Sequence, residues 1–250
     1  MMYASERSYP VKLSVSIVDK ADDRTPFLLR GDYLKNILLA KEIGYDAVEM
    51  HIRDPKSVDL HEIKDLCEKE NMAVSSIGTG LARARDGLSF MSEDHEVRLK
   101  TIERMRDFIK AAQIFNAVVI VGLIRGVVMP GADYAECEAR AADMLRRCLE
   151  YAEKGGVTLV LEAINRYESN FLVGVGETLS FIKRFQSAFL KVHIDSFHMN
   201  IEEPSMVKSI IRCKNHLGHV HFADSDRMYP GHGHIQFDKI LDALDRIGYA

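Results

Sequence analysis

The sequence has no long apolar run, no basic block and no C-x-x-C pair. The first absence excludes a membrane-spanning helix, which needs about 20 mainly apolar residues. The second argues against a nucleic-acid partner. With 33 Lys and Arg against 37 Asp and Glu the formal charge is −4, and no cationic stripe stands out. Cys67, Cys137, Cys148 and Cys213 are far apart and fall in helical patterns. They read as buried or half-buried thiols of a reducing compartment. Residues 1–10 are polar and lack the apolar centre of a signal peptide. A cytoplasmic protein of enzyme size is expected.

What is present is an alternation of strand-like and helix-like stretches with almost no linker. Strands are expected at 11–18, 46–52, 72–78, 117–123, 157–164, 189–195 and 218–223. Helices are expected at 32–43, 59–70, 95–115, 134–154, 177–186, 205–213 and 237–247. Seven βα units with right-handed crossovers make either a barrel or an open doubly wound sheet. The open sheet favours a Gly-rich turn after its first strand. Here that place holds Asp19-Lys20-Ala21-Asp22-Asp23, without glycine. The expected fold is therefore α/β, a (β/α)8 TIM barrel forming one domain over 1–250, its eighth βα unit missing from these residues. Gly248 ends the last helix, and Tyr249-Ala250 would lead into an eighth strand. Closure needs a strand between the seventh and the first. The 250 residues are thus expected to be less than the complete functional enzyme.

Three apolar runs end in metal-capable residues: Leu159-Val160-Leu161-Glu162, Val192-His193-Ile194-Asp195 and His219-Val220-His221. Tips of parallel strands converge on one mouth of a barrel, so distant residues can share an ion. Alternate strand residues share a face. Glu162, Asp195 and His221 can therefore all point inward while their aliphatic neighbours pack on helices. Such a donor set suits Mn²⁺, Mg²⁺, Co²⁺ or Zn²⁺. A strand-end carboxylate can instead cap the next helix, but three with matching parity argue for a site. His193 and His219 read as core or supporting histidines, His51 as mouth-lining, and His232 and His234 as turn residues. Glu49, near the second strand's tip, could stand behind the ligands, but it is not counted among the site residues. The long loops 80–94 and 124–133 lie on the same face, as a lid or as substrate contacts.

The stretches Glu162-Ala163-Ile164-Asn165-Arg166-Tyr167-Glu168, Asp195-Ser196-Phe197-His198 and His221 through Arg227 resemble the xylose-isomerase-like TIM-barrel sugar epimerases and isomerases. The D-tagatose 3-epimerase-related branch is most similar, from the second strand to the seventh helix. The resemblance implies that Glu162, Asp195 and His221 are three of four metal ligands, with Glu162 also a catalytic carboxylate. It implies that Glu168, His198 and Arg227 hold substrate. The fourth ligand and second catalytic carboxylate would be a Glu on the eighth strand, which has no counterpart here. The implied cofactor is one divalent ion, Mn²⁺ in preference to Mg²⁺, Co²⁺ or Zn²⁺. The implied partner is a sugar or sugar phosphate, and the implied assembly a homodimer or tetramer.

The residue types suit that chemistry. Moving a hydrogen beside a ketone through an enediolate needs a base and stabilisation of the developing charge. Arg227 offers a rigid fork of donors to substrate oxygens. Alternatives are a related metal-dependent dehydratase, a hydroxypyruvate-type isomerase, an abasic-site endonuclease-like protein and a non-catalytic truncated relic. The endonuclease reading needs histidines on the first-half strands. The tips Ile77-Gly78-Thr79 and Val121-Gly122-Leu123 carry none.

Overall fold

Most of the expected helices begin where a short polar side chain can accept the free N–H groups of a first turn. In the computed structural model Asp32, Asp59, Asp94 and Asp133 cap α1 (Tyr33–Ile43), α2 (Leu60–Glu70), α4 (His95–Phe115) and α5 (Tyr134–Gly155). Gly44, Asn71, Asn116 and Gly156 close the same four helices in the left-handed conformation. The structure describes residues 11–21, 25 and 27–249. The N-terminal segment 1–10, Asp22 and Asp23 of the first turn, and Ala250 lie outside the described residues.

The strands are β1 (Ser14–Val18), β2 (Leu29–Arg30), β3 (Ala47–His51), β4 (Ala73–Gly78), β5 (Val118–Val121), β6 (Leu159–Glu162), β7 (Leu190–Asp195) and β8 (Leu217–His221). All pairings are parallel, in the order β2-β1-β3-β4-β5-β6-β7-β8. The remaining helices are α3 (Gly80–Asp86), α6 (Val175–Lys183), α7 (Ser196–Glu202), α8 (Met206–Cys213) and α9 (Phe237–Arg246).

Six of the strands fall inside the stretches expected from sequence, and β8 matches the 218–223 stretch but starts one residue earlier, at Leu217. The 157–164 stretch is strand only over Leu159–Glu162, because β5 offers it partners only at Val119 to Val121. The eighth strand of the sheet, β2, was not expected. Its two residues pair with Ile17 and Val18 on the side of β1 away from β3. β2 and β8 thus stand at the two ends of the sheet.

The sheet is curled. Glu49 on β3 reaches His219 and His221 on β8 at 3.0 and 2.9 Å, although four strands lie between them in the hydrogen-bonded order. Val48, Met50, Ile77, Val119, Val121, Leu159, Leu161, Val192 and Ile194 are buried in the aliphatic core. These near-continuous apolar runs are what parallel strands covered by helices require.

The two long loops are not open flaps. Loop 80–94 contains α3, and Phe90 N–H donates to the Ile124 carbonyl at 3.0 Å. Leu88, Phe90, Met91 and Ile124 are buried where the loops meet. All four cysteines are buried and free. Among the described residues no helix is long and apolar enough to cross a membrane.

Candidate metal and substrate site

Glu162, Asp195 and His221 are the last residues of β6, β7 and β8. Register sets their depth: Asp195 lies beside His221, while Glu162 lies beside His193 and His193 beside His219. Asp195 divides its carboxylate between two tasks. Oδ1 accepts the Phe197 N–H at 2.7 Å and caps α7, while Oδ2 faces His221 Nδ1 at 3.7 Å. Cap and candidate ligand are thus one side chain, not alternatives.

Glu162 reaches the same place from the other side. Its Oε1 lies 3.7 Å from His198 Nε2. Its Oε2 occupies the space beside Gly122, where a Cβ would stand only 2.7 Å away. That close approach is why the β5 tip carries glycine. Potential ligand atoms of Glu162, Asp195 and His198 lie within 4.8 Å of one another, as do those of Glu162, His193 and His221.

Burial and neighbouring charge shift Glu162, Asp195 and His221 in different directions. Burial pushes the Glu162 carboxyl up, and the Asp195 charge adds to it, against His198, His221 and Arg125. For Asp195, burial is outweighed by His221, His198 and the Phe197 N–H, which hold it below the ordinary carboxylate range. Burial would lower the His221 imidazole, but Glu49 and Asp195 raise it well above its ordinary value. Arg125, fully buried, donates to the carbonyls of Gly122, Phe171 and Leu172. Burial brings its guanidinium down to about 10, and Glu162 opposes that fall.

Two observations test whether a divalent ion fits. Among the described residues nothing donates a hydrogen bond to the Glu162 carboxylate. Both ring nitrogens of His193 are buried and unpartnered, an uncommon state for a native side chain. Burial, with His221 and His219 beside it, keeps that ring neutral by lowering it well below its ordinary value. A set of carboxylate oxygens and imidazole nitrogens that lacks donors is what a hard-to-borderline cation satisfies. The residues fit the ion.

The three expected substrate residues form one linked group beside the cluster. Arg227 Nη1 donates to Glu168 Oε1 at 2.7 Å, and its guanidinium stacks over the Phe197 ring at 4.8 Å. Asn165 ties the other two together. Its amide nitrogen donates to Glu168 Oε1 at 3.1 Å and to His198 Nδ1 at 2.7 Å. An amide nitrogen only donates, so His198 Nδ1 accepts and its hydrogen sits on Nε2, facing Glu162. Arg227 itself has a left-handed backbone (φ 65°) in a loop organised by buried Asp224. The Asp224 carboxylate accepts N–H groups of Ser225, Gly231 and Ile235 at 2.7, 2.8 and 3.1 Å.

Sequence reasoning missed Asn165 and Asp224, and raised Glu49 only as a residue that could stand behind the ligands. Glu49 is 2% exposed at the base of the mouth and gathers five donors. Ser16 Oγ and His51 Nε2 reach its Oε1 at 3.0 and 2.7 Å. Ser76 Oγ, His219 Nε2 and His221 Nε2 reach its Oε2 at 2.6, 3.0 and 2.9 Å. Burial would raise this carboxyl, but His221, His219 and His51 hold it well below the ordinary range. The available signal was a glutamate inside an apolar strand, sharing parity with His51. His232 pairs with Asp226 in the exposed turn, in keeping with its turn reading.

A family profile described as Xylose isomerase-like TIM barrel matches residues 37–250. The chain is 31% identical to an L-ribulose 3-epimerase of Methylomonas sp. (strain DH-1), over 86% of this chain and 74% of that one. It is 31% identical to an L-ribulose 3-epimerase of Mesorhizobium japonicum over 84% of this chain and 70% of the relative. A D-allulose 3-epimerase from Methylomonas sp., solved in complex with D-allulose, superposes with TM-score 0.80 at 28% identity. That likeness covers 96% of this chain and 82% of the solved one.

Proposed function

This chain belongs to the xylose isomerase-like TIM-barrel family, and from that premise we propose that it is a divalent-metal-dependent ketose 3-epimerase. The carrying observation is the continuity of two groups: Glu162, Asp195 and His221 end the adjacent strands β6, β7 and β8, and His198 lies between Glu162 and Glu168, which pairs with Arg227. Relatives named as ketose epimerases support the reaction class. In this reading Glu162, Asp195 and His221 hold one ion, Mn²⁺ in preference to Mg²⁺, Co²⁺ or Zn²⁺. The ion's contribution is to polarise the ketose oxygens and so acidify the adjacent C–H.

The chain's own residues do the rest. Glu162 takes the proton at the carbon beside the ketone, giving an enediolate. Burial raises its carboxyl in the chain without the ion, and a bound cation would lower it again, so proton abstraction would depend on how far the ion acidifies the substrate C–H. His198 presents Nε2–H to a substrate oxygen, its ring fixed by Asn165. Arg227 and Glu168 hold hydroxyls, a donor fork beside an acceptor. Arg227 is already paired with Glu168, so it offers no uncompensated charge to a phosphate dianion. That pairing favours an unphosphorylated ketose. Assembly as a cytoplasmic homodimer or tetramer is carried by the family resemblance, and sedimentation of the purified protein tests the assembly.

The test is twofold. Elemental analysis should find one divalent ion per chain, and His221→Ala should weaken Mn²⁺ binding by more than about 100-fold. Wild-type protein in deuterated water should also exchange the hydrogen beside the ketone of a ketose. Unchanged metal affinity in the variant, or no exchange by the wild type, would refute the assignment.

A further inference from the structure

The five donors around Glu49 come from four strands: Ser16 on β1, His51 on β3, Ser76 on β4, and His219 and His221 on β8. Ser16, Glu49 and Ser76 form one register row across β1, β3 and β4, so the carboxylate is gripped from both sides of its own strand. His219 and His221 meet it across the curl of the sheet. The carboxylate has little freedom left: its side chain is 3% exposed and both oxygens are used.

Its contact with His221 has a chemical consequence. An ionised carboxylate only accepts, so the His221 nitrogen 2.9 Å from Glu49 Oε2 must carry a hydrogen. That nitrogen is Nε2. The other nitrogen, Nδ1, lies 3.7 Å from Asp195 Oδ2, the carboxylate oxygen left over from capping α7. The ring's edge-on packing against His193, at 4.1 Å between centroids, restricts rotation out of this pose.

We propose that Glu49 is a positioning residue that fixes the hydrogen of His221 on Nε2 and thereby presents Nδ1 as the nitrogen that binds the metal. The inference rests on the metal reading given above. It deepens that reading by naming which His221 nitrogen binds and what selects it. A carboxylate behind a ligating imidazole also makes the imidazole a better donor to the ion. Ser16, Ser76, His51 and His219 act one step further back, holding Glu49 where only its orientation toward His221 matters for binding. Replacing the carboxylate by an amide, as in Glu49→Gln, reverses this preference. The amide nitrogen would donate to Nε2, move the hydrogen to Nδ1 and block the ligand position.

The experiment compares wild type and Glu49→Gln by Mn²⁺ titration calorimetry, and by ring-nitrogen NMR of His221 in the Mg²⁺-loaded protein. The expected result is a loss of about 10- to 100-fold in Mn²⁺ affinity in the variant. It should be accompanied by loss of the Nε2-bound hydrogen that the wild type shows. Affinity within about twofold of wild type would overturn the proposal, being well short of the usual outer-shell effect. Lost affinity with an unchanged Nε2 hydrogen would overturn it too, since Glu49 would then act only as a structural support. Should the variant not fold, the wild-type spectrum alone decides: a bare Nε2 overturns the proposal. Failure of the wild type to bind Mn²⁺ at all would instead overturn the metal reading on which it rests.

Discussion

Two polar clusters lie at the mouth of this curled sheet, one above the other, and they are built on opposite plans. The lower one, around Glu49, is saturated: one carboxylate, five donors, both oxygens occupied. The upper one, at the tips of β6, β7 and β8, is starved: both His193 ring nitrogens are unpartnered, and the nearest cation-capable group to Glu162 Oε1 among the described residues is His198 Nε2 at 3.7 Å. Glu49 and His193 are fully buried and Glu162 is mostly so, and burial of a polar group costs free energy unless it is paired. The saturated cluster meets that cost from within the chain and serves as a rigid base. The starved one leaves it unmet, which is the condition under which an added ligand gains most. Rigidity beneath and deficit above are what the proposed binding site rests on.

The largest expected effect comes from removing the acid-base group of the starved cluster. Glu162→Gln keeps an oxygen in place but abolishes proton abstraction, and ketose turnover should fall by about 10²- to 10⁴-fold. Sugar binding should largely survive. Turnover kinetics beside equilibrium sugar binding measure this, and a parallel fall in both would make Glu162 a positioning residue. Next comes the space the cluster occupies. Gly122→Ala puts a methyl 2.7 Å from Glu162 Oε2. It should cost roughly tenfold in Mn²⁺ affinity, the scale of a displaced ligand support, with little change in thermal stability.

A smaller effect should follow from the Arg227 loop. Burial alone would raise the Asp224 carboxyl, but backbone N–H groups hold it below the usual range. Its stabilising contribution is therefore fully present above the unfolded value of about 3.9, and is lost as pH falls through the lower folded value. Asp224→Asn should raise KM several-fold and flatten the loss of thermal stability below about pH 4. An unchanged acid limb would show that Asp224 is not what secures the loop. The smallest effect tests the redundancy of the saturated cluster. Ser76→Ala removes one donor of five and should cost about 1 kcal/mol in denaturant unfolding, with metal affinity nearly unchanged. A larger loss of affinity would mean the base is not redundant.

The upper cluster was legible in sequence because its logic is local. A strand alternates its faces every residue, so apolar runs ending in Glu162, Asp195 and His221 reveal which side chains share a face. The helix boundaries were legible for the same reason: Asp caps and Gly or Asn stops act within one turn. The capping role of Asp195 was foreseeable, but not its coexistence with a free second oxygen, which depends on where α7 starts. Glu49 was not legible. Its own strand says only that a charge sits among Val48, Met50 and His51.

By itself, then, the sequence determined the alternation of elements, the inward parity of the strand tips and the chemical types offered at the mouth, because these follow from short-range periodicity and capping. Only the tertiary structure decided which residues meet. The curl of the sheet carries β3 across to β8, and the register of neighbouring strands sets Glu162 level with His193 rather than with Asp195. Curl and register are collective properties of eight paired strands, set by packing and ladder hydrogen bonds over the whole sheet, and no window of sequence contains them.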